Sequence, residues 1–298
     1  MTLFTATSIA SQSSAGERLV RAPHGMVVSV SQAASETGRD ILVRGGNAVD
    51  AAVATALMLA VTYPEAGNIG GGGFMLVYPG DGREPVCIDY RETAPRGASA
   101  DMFVGETNHF GHKVVGVPGT IRGLALAHAQ FGKLPWKELV APATRVAAEG
   151  FAIDAAVAKS IESELAEKGD FAEMRRVYGK PDQTHWQAGD RLVQPDLART
   201  LATLAGEGPD AFYRGRIARQ IVAEMQAGGG LITAEDLADY EAKIRPAVHG
   251  TFRGYDVYGP PLSSSGGIVL IEMLNMLEAF DLARLGRWSP QAHHLTIE

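Results

Sequence analysis

The sequence predicts an α+β fold, and three observations carry that prediction. Short β-rich runs (MVVSV, FMLVY, PVCIDY, TFRGYDVYG) lie towards both ends of the chain. Between them runs a long stretch of helical spacing punctuated by glycine. The composition is that of a packed globule, 46% apolar and 20% charged over 298 residues. That length allows one large domain or two modest ones. No internal repeat or composition break divides it, so residues 23–298 read as one layered domain behind a flexible N-terminal segment, 1–22.

Composition also narrows function. A net charge of −7 argues against a general nucleic-acid or anionic-membrane partner. The lone cysteine, Cys87, cannot close an internal disulfide and reads as a small core residue in PVCIDY. The opening stretch MTLFTATSIASQSSAGERLV has no basic residue ahead of its weakly apolar part, so it does not read as a secretory signal. Compartment is left open. AVDAAVATALMLAV, at 48–61, contains Asp50 and is too short to span a bilayer.

The elements follow in order. MVVSV, at 26–30, predicts a strand feeding a helix from about Gln32 to Arg44, stopped by Gly45-Gly46. Asn47 caps the next helix, with Asp50 three residues on to accept first-turn N–H groups. That helix is apolar all round, which predicts burial between layers, and it ends before Tyr63-Pro64. FMLVY (74–78) and PVCIDY (85–90) predict a hairpin through PGDGRE. From about 120 to 245 the segments PWKELVAPATRVAAEG, IDAAVAKSIESELAEKG, QPDLARTLATLAGEG and GRIARQIVAEMQAGGG predict helices, and Thr233 with Asp236 predicts a cap. A second hairpin turns at Arg253-Gly254; PPLSSSGG is a loop, and IVLIEMLNMLEAF (268–280) predicts a buried helix.

The common catalytic signatures are missing. There is no HExxH, no paired CxxC and no G-x-S-x-G, and adjacent His293-His294 lack metal-ligand spacing. Ser263-Ser264-Ser265 read as loop residues, with no base at a telling distance. No cofactor or metal is called for. The run Gly70–Gly73 precedes a strand, not a helix, so it is not a phosphate loop; it permits positive φ or a close backbone approach. Arg91, at the end of the second strand beside that run, could grip a carboxylate bidentately. By position alone a salt bridge to Glu92 or Asp89 is the better reading.

Five segments carry a resemblance: RGGNAVDAAVATALMLAV, IGGGGFMLV, IDYRETAP, GLITAEDLADY and PPLSSSGGIVLIEMLNMLEAFDL. Their order resembles that of the γ-glutamyltranspeptidases (glutathione hydrolases), from about residue 20 to the C-terminus, and the match is to the family's large subunit. The resemblance implies the αββα sandwich of the N-terminal-nucleophile hydrolases, incomplete here without the small subunit of the same self-cleaving precursor. It implies a heterodimer acting on γ-glutamyl compounds such as glutathione. The nucleophile would be a threonine at the new N-terminus of the small subunit. No threonine of this chain sits in the family's nucleophile motif, so no catalytic residue is expected here and the chain alone is expected to be inactive. For Arg91 the resemblance reverses the balance: the matching arginine binds the substrate α-carboxylate. Gly70–Gly73 would be scaffold, letting the buried helix and hairpin pack closely. Two other readings stay open: a cephalosporin- or glutaryl-type acylase of the same superfamily, and a non-catalytic subunit that only binds a partner.

Overall fold

The computed structural model describes residues 20–105 and 110–298. The segment read as flexible, 1–22, lies almost wholly outside the described residues. The elements run α1 (Gln32–Val43), α2 (Ala48–Thr62), β1 (Phe74–Val77), β2 (Val86–Asp89), a 3-10 turn (His112–Val114), α3 (Thr120–Phe131), α4 (Trp136–Glu149), β3 (Phe151–Ala152), α5 (Ala155–Lys168), α6 (Ala172–Tyr178) and β4 (Arg191–Leu192). They continue with α7 (Pro195–Glu207), α8 (Asp210–Tyr213), α9 (Arg216–Gly228), α10 (Ala234–Ala238), β5 (Lys243–Pro246), β6 (Val248–Phe252), β7 (Tyr255–Gly259), α11 (Gly266–Glu278), α12 (Leu282–Leu285) and α13 (Pro290–Ile297). The chain is α+β.

Helix α2 is the centre. Asn47 Oδ1 accepts from the N–H groups of Val49 and Asp50, and the Asp50 carboxylate accepts from Asn47 N–H at 3.0 Å, a complete capping box. The buried Asp50 also accepts from Lys133 N–H at 3.0 Å, which fastens the end of α3 to the start of α2. Val53, Leu57, Met58 and Val61 then pack with Ile121, Leu124, Leu139, Val140, Leu201, Leu204 and Ile88 in one core. Each such fully buried aliphatic side chain contributes about 1.5–3 kcal/mol relative to exposure. A satellite cluster (Ile153, Val157, Ile161, Trp186, Leu192) sits under α5 and the short β3–β4 pair.

The first hairpin forms as predicted: β1 and β2 are antiparallel, with Leu76 opposite Cys87. A third strand from far along the chain, β5, pairs with the other edge of β2 and gives the order β1-β2-β5. The second hairpin turns on Arg253 and Gly254, both at positive φ (52° and 80°), the geometry of a tight primed turn.

Two expectations need correction. Residues 26–30 form no strand. Val27 packs on Gly38 of α1, while Val28 and Val30 are exposed and pair with no strand among the described residues. The helix expected over 268–280 is present as α11, but it is not buried: one face rests on β6 and β7, while Val269, Leu270, Met273 and Met276 are exposed. Apolarity predicted burial; among the described residues nothing covers that face. The helical middle also contains two elements not expected there, β3 and β4.

Candidate functional site

The site is built where β2 ends. Gly73 and Tyr90 exchange both backbone hydrogen bonds, 3.0 and 3.3 Å, so the β1–β2 ladder runs one pair beyond the strands. The Tyr90 ring is packed against Gly73 and Gly123, and burial pushes its phenol up to about 12. Past Tyr90 the chain leaves the sheet and is held by side chains. Asp89 accepts from Arg91 N–H at 3.1 Å through one oxygen and from Arg245 Nε, on β5, at 2.7 Å through the other. The Tyr240 hydroxyl donates to the Arg91 carbonyl at 2.8 Å. Burial raises the Tyr240 phenol well above its ordinary range, so it stays a protonated donor. Thr93 and Val117 form an antiparallel bridge that closes the segment.

The glycine run supports this turn from behind. None of Gly70 to Gly73 has positive φ, so the left-handed conformation is not what the run is for. Close approach is. A Cβ on Gly72 would lie 2.5 Å from Tyr90 O and 2.8 Å from Glu92 N. Gly71 O accepts from Gly119 N–H at 2.7 Å and Thr120 N–H at 3.0 Å. Asn68 Oδ1 accepts from Gly71 N–H at 2.9 Å and from the Thr120 hydroxyl at 2.6 Å. The scaffold reading therefore holds, with a different partner: the run packs on residues 90–92 and on the start of α3, more than on α2.

Arg91 lies on top of this frame. Its side chain is 61% exposed, and its Nε is 3.5 Å from Glu92 Oε2, a single long contact. Such an exposed pair is worth about 1 kcal/mol at most. The backbone of Arg91 is thus fixed on both sides while its guanidinium remains open to a ligand. It lines a groove of ≈ 420 Å³ with Glu92, Thr93, Met102, Phe103, Lys113 and Val114 among the walls.

The other candidates stay outside. Ser263–Ser265 lie in the loop before α11, as expected. His293 and His294 are on α13, and no metal-competent group of His, Cys, Asp and Glu occurs among the described residues. Cys87 is fully buried, which pushes its thiol up to about 11, so it is no nucleophile at neutral pH. No helix among the described residues is long and apolar enough to cross a membrane. Sequence reasoning missed Asn68, Gly119 and Tyr240. Tyr240 acts on Arg91 across 149 positions, and no local pattern announces it.

The gamma-glutamyltranspeptidase family model matches residues 34–298. The chain belongs to the γ-glutamyltranspeptidase family. It is 44% identical over 286 residues to the glutathione hydrolase proenzyme of Escherichia coli (strain K12), covering 94% of this chain and 49% of that protein. It is 41% identical over 290 residues to the acylase ACY 1 proenzyme of Pseudomonas sp. (strain SE83), covering 92% of this chain and 51% of that protein. Among solved structures, Helicobacter pylori γ-glutamyltranspeptidase superposes with a TM-score of 0.90 at 36% identity, over 94% of this chain and 82% of that one. A γ-glutamyltranspeptidase is an enzyme of the N-terminal-nucleophile fold, and this chain spans about half the length of the curated relatives it matches.

Proposed function

We propose that this chain is the large-subunit part of a γ-glutamyl hydrolase/transferase and that Arg91 is the donor-carboxylate anchor. The observation that carries the reading is the contrast within one residue: a backbone locked by Asp89 and Tyr240 under a guanidinium that makes only one long contact. A planar fork held at a fixed height is suited to the α-carboxylate of a γ-glutamyl group, bound through two parallel charge-assisted hydrogen bonds. The reacting γ-amide then lies at the other end of the glutamyl chain, where the small subunit supplies a threonine. Its hydroxyl oxygen attacks the amide carbonyl, the C–N bond breaks, and the departing amine takes a proton. Water or an acceptor amine next cleaves the γ-glutamyl ester and regenerates the hydroxyl. Glutathione is the donor this reading favours.

The acylase reading draws on the ACY 1 relative. An acylase donor without an α-carboxylate would leave Arg91 unused. The test is steady-state kinetics of the complete two-subunit enzyme with a γ-glutamyl peptide. Arg91→Lys is expected to raise KM about tenfold or more, a loss of ~1.4 kcal/mol or above, and Arg91→Ala further, with precursor cleavage intact. A KM within about twofold of wild type would remove Arg91 from the site.

A further inference from the structure

The segment that carries Arg91 is gripped by one continuous stretch, 233–246, from far along the chain. Helix α10 opens it. Its cap residue Asp236 accepts from Thr233 N–H at 2.9 Å through one oxygen and from Arg96 N–H at 2.9 Å through the other. At the end of α10 the Ala238 carbonyl accepts from the guanidinium of Arg214, just after α8, at 2.7 Å. Tyr240 follows, and its hydroxyl donates to the Arg91 carbonyl at 2.8 Å. Then β5 pairs along β2, with Lys243 opposite Asp89. Arg245 Nε donates to the Asp89 carboxylate, which itself accepts from Arg91 N–H. Both polar backbone groups of Arg91 are thus held by this stretch, the carbonyl directly and the N–H through Asp89.

The Tyr240 phenol is itself closely confined. Its ring is buried and stacks on Tyr213, with centroids 5.9 Å apart and planes 12° from parallel. Tyr213 is fixed in turn: its hydroxyl donates to Pro118 O at 3.0 Å and accepts from Arg122 N–H at 3.0 Å. The start of α3 closes against the phenol, since a Cβ on Gly119 would lie 2.1 Å from its oxygen. A side chain locked by packing and by such bonds can in turn fix the group it touches. We infer, on the reading of Arg91 as donor anchor, that the 233–246 stretch positions Arg91 and that Tyr240 is its principal positioning residue. The hydroxyl sets where the Arg91 backbone rests, and so the height at which the guanidinium meets the donor carboxylate. A bidentate pair tolerates little displacement, so loss of that bond weakens donor binding. Cleavage at the far end of the glutamyl chain is unaffected once the donor is seated.

The test is a mutant cycle in the complete two-subunit enzyme, with a γ-glutamyl peptide as donor. Tyr240→Phe keeps the ring stack and removes only the hydroxyl. It is expected to raise KM about fivefold and to leave kcat within about twofold. In an Arg91→Ala background the same change should alter kcat/KM by less than about twofold, because the group it positions is gone. Arg245→Gln, which loosens Asp89, is expected to raise KM about threefold, and it carries the same cycle if Tyr240→Phe yields no assembled enzyme. A KM within about twofold of wild type, beside a large Arg91→Ala effect, would overturn the positioning role and leave the anchor standing. An equal loss in both backgrounds would also overturn it, because Tyr240 would then act on the fold at large. Little effect of Arg91→Ala itself would remove the anchor, and the positioning role with it.

Discussion

Gly70 and Gly72 stand two residues apart in one run and carry opposite constraints. An added Cβ meets nothing within 4 Å at Gly70, whereas at Gly72 it meets the Tyr90 carbonyl and the Glu92 amide, both backbone. Backbone cannot swing aside as a side chain can. Gly70→Ala is therefore expected to change stability by no more than about 0.5 kcal/mol, and Gly72→Ala to cost about 1–3 kcal/mol, read by urea unfolding. Gly72→Ala should also raise donor KM, because the atoms it displaces set the height of Arg91. Arg83 is the matched control: it is bound to Asp81 in the exposed β1–β2 turn at 2.7 Å, so Arg83→Ala should leave KM within about twofold. The resemblance marked Arg91 in the sequence, but its exposure and its fixed backbone depend on Tyr240 and Arg245, far along the chain.

Elements here begin on polar side chains whose value reaches beyond their own helix. Asp50 caps α2 and also accepts from the Lys133 and Leu134 N–H groups at the end of α3. Asp50→Ala would strand buried donors at two helix ends, and a loss of about 3 kcal/mol or more is expected from chemical denaturation. Asn47→Ala, which removes the local cap and the amide donation to the Phe131 carbonyl at the end of α3 but leaves the Asp50 bonds in place, should cost less, about 1–2 kcal/mol. Asp236 caps α10 and accepts from Arg96 N–H at 2.9 Å. Burial acts to raise its carboxyl, but the N–H donors of Arg96 and Thr233 and the Thr233 hydroxyl outweigh it, and the folded value lies below the ordinary one. A depressed folded value gives stability that is present above the unfolded value of about 3.9 and is lost as pH falls through the folded one. Unfolding free energy measured from pH 6 down to pH 2 should thus fall more steeply for wild type than for Asp236→Asn. Both caps were legible as sequence motifs; their second partners, 83 and 140 residues away, were not.

At the scale of the molecule, apolar surface on α11 has no cover among the described residues, and none of their strands pairs with the outer edges of β1 and β5 in the sheet β1-β2-β5. The family's small subunit is the occupant we expect. Met276 is 63% exposed, so Met276→Glu should leave the melting of this chain alone within about 0.5 kcal/mol of wild type. On the proposed two-subunit reading, the same substitution should weaken assembly with the small subunit, because it would place a charge in a dry interface. Equal assembly of wild type and Met276→Glu by size-exclusion chromatography would place the small subunit elsewhere. The same face explains why a periodicity argument misjudged α11: its residues are apolar in the pattern of a buried helix, and among the described residues nothing covers them.

Local chemistry determined the rest of the reading. Hairpins at 74–90 and 248–259, the Asn47 and Thr233 caps, and helices ended by glycine all depend on residues within a few positions of one another. Backbone sterics and nearby hydrogen bonds bias them without reference to distant residues. The family, too, was legible, because its motifs are local and ordered. Only tertiary structure decided that Gly72 and Gly73 serve close approach and that none of Gly70–Gly73 is there for positive φ. Tertiary structure also decided that MVVSV pairs with no strand among the described residues, and that Tyr240 reaches the Arg91 carbonyl. Those outcomes depend on which distant backbone arrives alongside, and a one-dimensional pattern carries no record of that.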